Sequence, residues 1–266
     1  MKLIGSLTHD RYCDEILAQT DLFRQHLRGV DLTATVPTCP EWTVDQLARH
    51  LGGAHRWVGA IVGTRAKDNI PPEEVPGGAG PEEGGLEALD AWLEEGVRTL
   101  VETLREAGPD AEVWGWMPGQ AAGFWARRMA HETVVHRADA AITAGVDFEV
   151  APEVAADTIE EWLQMLASPV AKEFNPALSG VLGPGRTIHL HATDAPAELN
   201  AEWLIDLTGE WIAYRRGHEK AAVVLRGPLT DVLRVFYRRQ SADTERVEIL
   251  GDRKILDHWL ELASFG

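Results

Sequence analysis

Apolar residues recur at spacings of three and four through most of residues 1–145, which predicts four long helices. The first runs from about Thr8 to Leu27 on Tyr12, Ile16, Leu17 and Phe23. After the turn Pro37-Thr38-Cys39-Pro40-Glu41-Trp42, Thr43 stands three residues before Gln46, the spacing of a capping box. Val44, Leu47, Leu51, Val58 and Ile61 carry the second helix from there to about Gly63. The third spans about Leu86 to Ala107, and the fourth spans about Ala122 to Ala144 and stops at Gly145. Helices joined in this way predict an antiparallel four-helix bundle. Residues 66–85, rich in Pro, Gly and Glu, read as a loop, either a lid or a disordered stretch. A fifth helix, about Pro152 to Ala167, is expected to bridge to the second half.

There the period changes. Thr187 to Thr193 alternates with period two, as a strand should. Trp203 to Leu207, Glu210 to Tyr214, Ala221 to Arg226 and Arg246 to Leu250 also read as strands, with helices over Pro228 to Arg238 and Asp252 to Ala263. The expected organisation is a helical bundle over residues 1–175 and a small α+β domain over 180–266, divided at the turn-rich residues 175–186.

Charge removes some partners. The net charge is -17 and no Lys/Arg-rich run occurs, so a nucleic-acid groove, which needs clustered cations, is not expected. No stretch of about 18 apolar residues is present to span a membrane. Met1 to Ile16 has no long apolar core and no small-residue cleavage site, so no signal peptide is expected either. Cys13 and Cys39 are the only cysteines, which fits a reducing, cytoplasmic compartment rather than a disulfide framework. There are ten tryptophans, and those of the first half are expected in the core, with some walling a pocket.

The chemistry gathers on the fourth helix. Glu132 and His136 lie roughly 40° apart on one face, on the side of Trp125 and Met129. A carboxylate turned inward needs a cation. A divalent metal shared with His136 is one solution, because a Glu/His pair at i,i+4 is a two-ligand clip. Arg128, one turn earlier, is another, with His136 then a satisfied interior histidine. His131 is one residue too far from His136 for the HExxH spacing and points elsewhere. On the second helix, His50 and His55 both fall within the apolar arc, and geometry does not choose between them. Asp139, one turn after His136, could orient a ligand or pair with Arg137. His189 and His191 share a strand face, a spacing that can bind metal, but exposed alternation around buried Ile188 and Leu190 explains them better.

Two of these segments carry a resemblance. Thr38-Cys-Pro-Glu-Trp-Thr43, followed by Val44, Leu47 and His50-Leu51, resembles the start of helix two in the mycothiol-dependent maleylpyruvate isomerase family. Arg128-Met-Ala-His-Glu132-Thr-Val-Val-His136-Arg137-Ala-Asp139 resembles that family's helix four. The resemblance implies a DinB-like metal-binding bundle with His50, Glu132 and His136 as ligands and His55 as a neighbour. In the second half, Gly227-Pro-Leu-Thr-Asp231-Val-Leu233, Tyr237-Arg238-Arg239 and Val247-Glu-Ile-Leu-Gly251-Asp252 resemble the family's small C-terminal, sterol-carrier-like domain. The family pattern ends that helix in Gly-Arg, with the arginine reaching toward the bundle's pocket. Here Arg238 replaces the glycine, which leaves Arg239 at the matching position. The plain alternative is that both arginines are solvated residues at a helix C-terminus.

Three protein ligands leave coordination positions open, as catalytic rather than structural zinc sites do. The resemblance implies that mycothiol is the thiol ionised there, so the chain need not supply a nucleophilic cysteine. In the isomerase reaction that the resemblance implies, the thiolate adds to the cis double bond of a 2,4-dioxo acid, the central bond rotates, and the thiolate leaves. Arg239 could hold the substrate carboxylate. The expected function is therefore a divalent-metal- and mycothiol-dependent isomerase or S-transferase, monomeric or a small homo-oligomer, acting on a small electrophile. A metal-dependent hydrolase using bound water and a non-catalytic metal-binding regulator are the alternatives.

Overall fold

The structure, a computed structural model, describes residues 7–116 and 120–263. Within the Trp114-to-Gly119 connection, residues 117–119 lie outside the described residues, as do residues 1–6 of the N-terminus. The chain divides into two compact units that meet between Phe148 and Glu149.

In the first unit, α1 (His9–Leu27), α2 (Val44–Gly63), α3 (Gly85–Ala107) and α4 (Ala122–Ala144) form the bundle; α1 packs on α3 and α4, and α2 packs on the same two. The ends follow from local chemistry. The Thr8 hydroxyl accepts from the Arg11 amide to open α1. Thr43 and Gln46 form the full capping box at the start of α2. Gly145, at φ 67°, closes α4 in the left-handed conformation that glycine adopts without strain. Two buried clusters fill the bundle. Ile16, Ile61, Leu100 and Trp125 belong to one, and Phe23, Leu47, Leu51 and Leu93 to the other. Burying each such side chain is worth about 1.5–3 kcal/mol. Arg24 of α1 ties α3 from the side, with Asp90 at 2.8 Å and Glu94 at 3.0 Å.

The turn expected before α2 is a small hairpin, β1 (Thr35–Val36) with β2 (Cys39–Thr43). The loop expected over residues 66–85 is docked on the helices. Indole nitrogens of Trp57 and Trp92 donate to the carbonyls of Ile70 at 2.7 Å and Gly77 at 2.8 Å, and Arg49 donates to those of Ala79 and Pro81, both at 2.8 Å.

Trp92 also sets a close approach. A Cβ on Gly52 of α2 would lie 2.0 Å from the Trp92 ring, and the indole is held by its bond to Gly77. Gly→Ala inside a helix ordinarily stabilises by about 1 kcal/mol. Gly52→Ala should instead destabilise the bundle by about 1–3 kcal/mol through overpacking, as read by urea unfolding. A stabilised variant would show that the indole is free to move.

The second unit opens with α5 (Pro152–Leu166) and α6 (Pro169–Phe174). Its five-stranded sheet runs in the order β5-β4-β3-β6-β7. The strands are β3 (Thr187–Ala192), β4 (Glu202–Asp206), β5 (Ala213–Arg216), β6 (Val223–Gly227) and β7 (Glu248–Gly251). β3 is antiparallel to β4 and parallel to β6. α7 (Leu229–Phe236) and α8 (Arg253–Leu262) complete the unit.

Two expectations change here. The fifth helix falls in the second unit rather than with the bundle. Its Glu160 carboxylate accepts from Trp203 Nε1 at 2.7 Å, Tyr214 Oη at 3.0 Å and Arg216 Nε at 2.7 Å, three donors from the sheet. And β5 lies three residues beyond the expected Glu210 start, at Ala213. Among the described residues no helix is long and apolar enough to cross a membrane.

Candidate metal centre

α4 is buried on almost every side although it carries charge: Arg128, His131, His136 and Asp139 are all buried. Each such group needs a partner in the interior. The His131 ring meets the Tyr12 ring edge-on at 5.9 Å.

Glu132 divides its two oxygens. Oε2 takes Arg128 Nη2 at 2.8 Å. Oε1 faces His50 Nε2 at 3.0 Å and His136 Nε2 at 3.2 Å. The arginine pair and the histidine pair, alternatives on sequence spacing, thus coexist on one carboxylate. The rings of His50 and His136 meet edge-on at 4.8 Å, and the Trp42 indole lies 4.7 Å from the first and 5.8 Å from the second.

Behind His136 the arrangement is equally directed. Its Nδ1 lies 2.9 Å from Asp139 Oδ2, and the other carboxylate oxygen accepts from the Thr38 hydroxyl at 2.5 Å. Asp139 is fully buried, so the imidazole is fixed with Nε2 toward Glu132. The hairpin before α2 therefore supplies a support, Thr38, for a ligand candidate on α4.

The electrostatics follow. Burial works to lower the His136 pKa, but the hydrogen bonds to Asp139 and Glu132 overcome it and raise it from 6.5 to about 9. Burial works to raise that of Glu132, and the contacts with His136, His50 and Arg128 hold it well below the usual carboxylate range. His55 behaves differently. The Thr133 hydroxyl donates to the Met129 carbonyl at 2.7 Å, so it accepts from His55 Nε2 at 3.0 Å. Burial pushes His55 down to about 3, which makes it a neutral structural histidine beside the cluster. Cys13 is buried and its thiol is pushed up to about 11, chiefly by burial, which suits packing rather than nucleophilic chemistry.

His50, Glu132 and His136 each offer one ligand atom, and these atoms lie within 4.8 Å of one another. Ligands of a tetrahedral zinc with bonds of about 2.0–2.1 Å sit about 3.3 Å apart, close to the 3.0 and 3.2 Å between Glu132 Oε1 and the two histidine nitrogens, so the triad is of a size to hold such an ion. A cavity of about 330 Å³ opens beside it. His50, Glu132, Arg128, Met129, Trp57 and Trp116 are among its lining residues. Trp57 and Trp116 thus wall a pocket, while Trp125 is core.

Arg239, the remaining residue singled out in the sequence, belongs to the second unit. It follows α7, is half-buried, and donates from Nη1 to the Tyr237 carbonyl at 2.8 Å. Arg238, in the place of the family's glycine, has φ 61°. That left-handed backbone is one glycine would adopt freely, and Arg238 holds it at a cost of roughly 1–2 kcal/mol. His189 departs from its expected exposed alternation: it is 3% exposed, between fully buried Ile188 and Leu190.

A four-helix bundle with an inward His/Glu/His cluster, joined to a small mixed sheet domain, defines a two-domain class. Residues 13–141 match the mycothiol maleylpyruvate isomerase N-terminal domain and residues 153–258 the MDMPI C-terminal domain. The chain belongs to the mycothiol-dependent maleylpyruvate isomerase family. Two solved structures share its fold. One, of the mycothiol-dependent maleylpyruvate isomerase, is 18% identical over 94% of this chain and 95% of that one, with a TM-score of 0.56. The other, of a histidine-to-alanine mutant of that enzyme, is 17% identical over the same shares, with a TM-score of 0.55. No curated protein matches the chain.

Proposed function

We propose that the protein is a divalent-metal- and mycothiol-dependent enzyme, with His50, Glu132 and His136 as ligands of one zinc-like ion and a small electrophile as substrate. The observation that carries this reading is the convergence of those three side chains, two of which, His50 and Glu132, line a cavity of about 330 Å³. Zinc held by three protein ligands would supply an open position at which a thiol ionises at neutral pH.

The chain's own groups do the rest. Asp139 holds His136 Nδ1, which keeps Nε2 aimed inward. Arg128 neutralises the outer oxygen of Glu132 and stiffens the carboxylate. Trp57, Trp116 and Met129 give the cavity apolar walls that lower its polarity. The ionised thiol adds to a cis carbon–carbon double bond conjugated to a carbonyl, rotation follows about the new single bond, and expulsion of the same thiolate restores the double bond as trans. S-transfer would retain the first step and replace the last by protonation of the resulting enolate, which returns the proton the thiol lost. Arg239 is proposed to pair with a substrate carboxylate, for which its planar fork is suited.

The test is turnover of a cis-2,4-dioxo acid by zinc-loaded protein with and without mycothiol. Isomerisation that requires both zinc and thiol is the expected result. Arg239→Ala should raise KM about ten- to a hundredfold for a carboxylate-bearing substrate, the loss of a charge-assisted hydrogen bond, with thiol binding unchanged. Turnover that needs no thiol would mark a hydrolase using bound water. Thiol binding without turnover of any electrophile would mark a binding protein.

A further inference from the structure

The second unit contains another convergence of ligand atoms. We propose that His189, His191, Glu202 and His218 form a second metal site that takes a divalent transition ion such as zinc, independent of the bundle.

The backbone assembles it from three places. His189 and His191 are two residues apart on β3 and share one face of the sheet. Glu202, at the start of β4, is the cross-strand partner of His191. The Gly217 amide donates to the Glu202 carbonyl at 3.0 Å just beyond β5, and His218 follows. Gly217 has φ 149°, a conformation that L side chains rarely adopt, and this turn brings His218 back over the same carboxylate.

The four side chains are packed more tightly around Glu202 than hydrogen bonding alone explains. His189 Nε2, His191 Nδ1 and His218 Nδ1 lie 3.0, 2.9 and 2.6 Å from the same oxygen, Oε2. A carboxylate oxygen has two lone pairs and cannot accept well from three rings at once. His189 Nε2 is buried and makes no aligned hydrogen bond despite that short distance. The three rings stand edge-on to one another at 5.3 to 5.6 Å. All four candidate ligand atoms lie within 4.8 Å of each other. Three imidazoles and one carboxylate are a donor set suited to zinc and its neighbours.

With all four positions supplied by protein, this site has no place for substrate, and that is the mark of a structural ion. It would tie the β3–β4 pair to the chain beyond β5, the edge of the sheet, where pairing is one-sided.

Zinc titration of untagged, full-length protein tests the assignment. In a Glu132→Gln/His136→Ala background the bundle's triad is broken, so its failure or success does not enter. That protein should still bind one zinc per chain, by competition with a chromogenic chelator. Adding His218→Ala should weaken this binding at least tenfold. His218 is 73% exposed, so the far-ultraviolet circular dichroism should not change. Glu202→Gln should do the same, and cobalt in place of zinc should give the visible bands of a four-coordinate site. No bound zinc in the background protein, or zinc affinity indifferent to both His218→Ala and Glu202→Gln, would overturn the proposal.

Discussion

Replacing His136 by alanine should lower zinc affinity at the bundle's triad by at least about tenfold, the floor set by losses seen when mere supports of a ligand are removed. Three atoms face the proposed ion, and the substitution deletes one of them while His50 Nε2 and Glu132 Oε1 remain. The protein should stay folded, with a stability loss of about 1–3 kcal/mol, because buried Asp139 loses one partner and keeps Thr38. Glu132→Gln makes the same test at nearly constant volume. It removes the charge shared by His50, His136 and Arg128. Both variants belong in a His218→Ala background, so that only the bundle's site reports. Unchanged zinc affinity in both would leave the Arg128–Glu132 ion pair with a satisfied histidine as the whole account of the cluster.

A second large effect is expected from pH. In the metal-free protein His136 has its pKa raised to about 9, so below that pH its imidazole carries a proton that an ion at Nε2 must displace. Glu132, held well below its usual range, is ionised throughout and adds no slope. The His136 contribution alone should therefore raise zinc affinity by up to about tenfold per pH unit, or about fiftyfold between pH 7 and pH 9, before levelling off. Calorimetry at pH 7 in buffers of different ionisation enthalpy should count one proton released from this group. Asp139→Asn removes a charge that favours the imidazolium and should flatten the slope. Folding shows the opposite sign. A raised folded pKa contributes stability that is fully present below 6.5 and is lost as pH rises through about 9. The metal-free protein should lose this contribution on going from pH 7 to pH 10, whereas zinc binding strengthens over the lower part of that range. A flat affinity profile would mean that His136 is not a ligand.

Much of the bundle could be read from the chain because its helix ends are written locally. The Thr43/Gln46 box and Gly145 bound α2 and α4 where the structure bounds them. The Pro37- and Pro40-containing hairpin read as a turn because β1 is two residues long. The pattern draws β5 toward Trp211 and Ile212, the apolar pair before it, because the strand itself, Ala-Tyr-Arg-Arg, is a polar edge. The sequence groups the fifth helix with the bundle because nothing in its periodicity names the sheet residues that bind Glu160.

The sites divide the same way. Glu132 and His136 share a helix face, so spacing alone found them. Spacing leaves His50 and His55 open and only the resemblance points to His50, because the Thr133 hydroxyl that engages His55 is visible only in three dimensions. His189 looked exposed because alternation assumes one solvated face, but β3 is the central strand and His189 is covered. Its companions Glu202 and His218 come from β4 and from beyond β5, which no local pattern connects.

The most direct measurement of the thiol-dependent metal site is the absorption spectrum of cobalt-substituted protein titrated with mycothiol. A sulfur-to-cobalt charge-transfer band should grow to saturation at one thiol per chain and be absent in His136→Ala. The four-ligand site of the second unit should contribute none. No band at saturating thiol, alongside full turnover without thiol, would contradict the assignment.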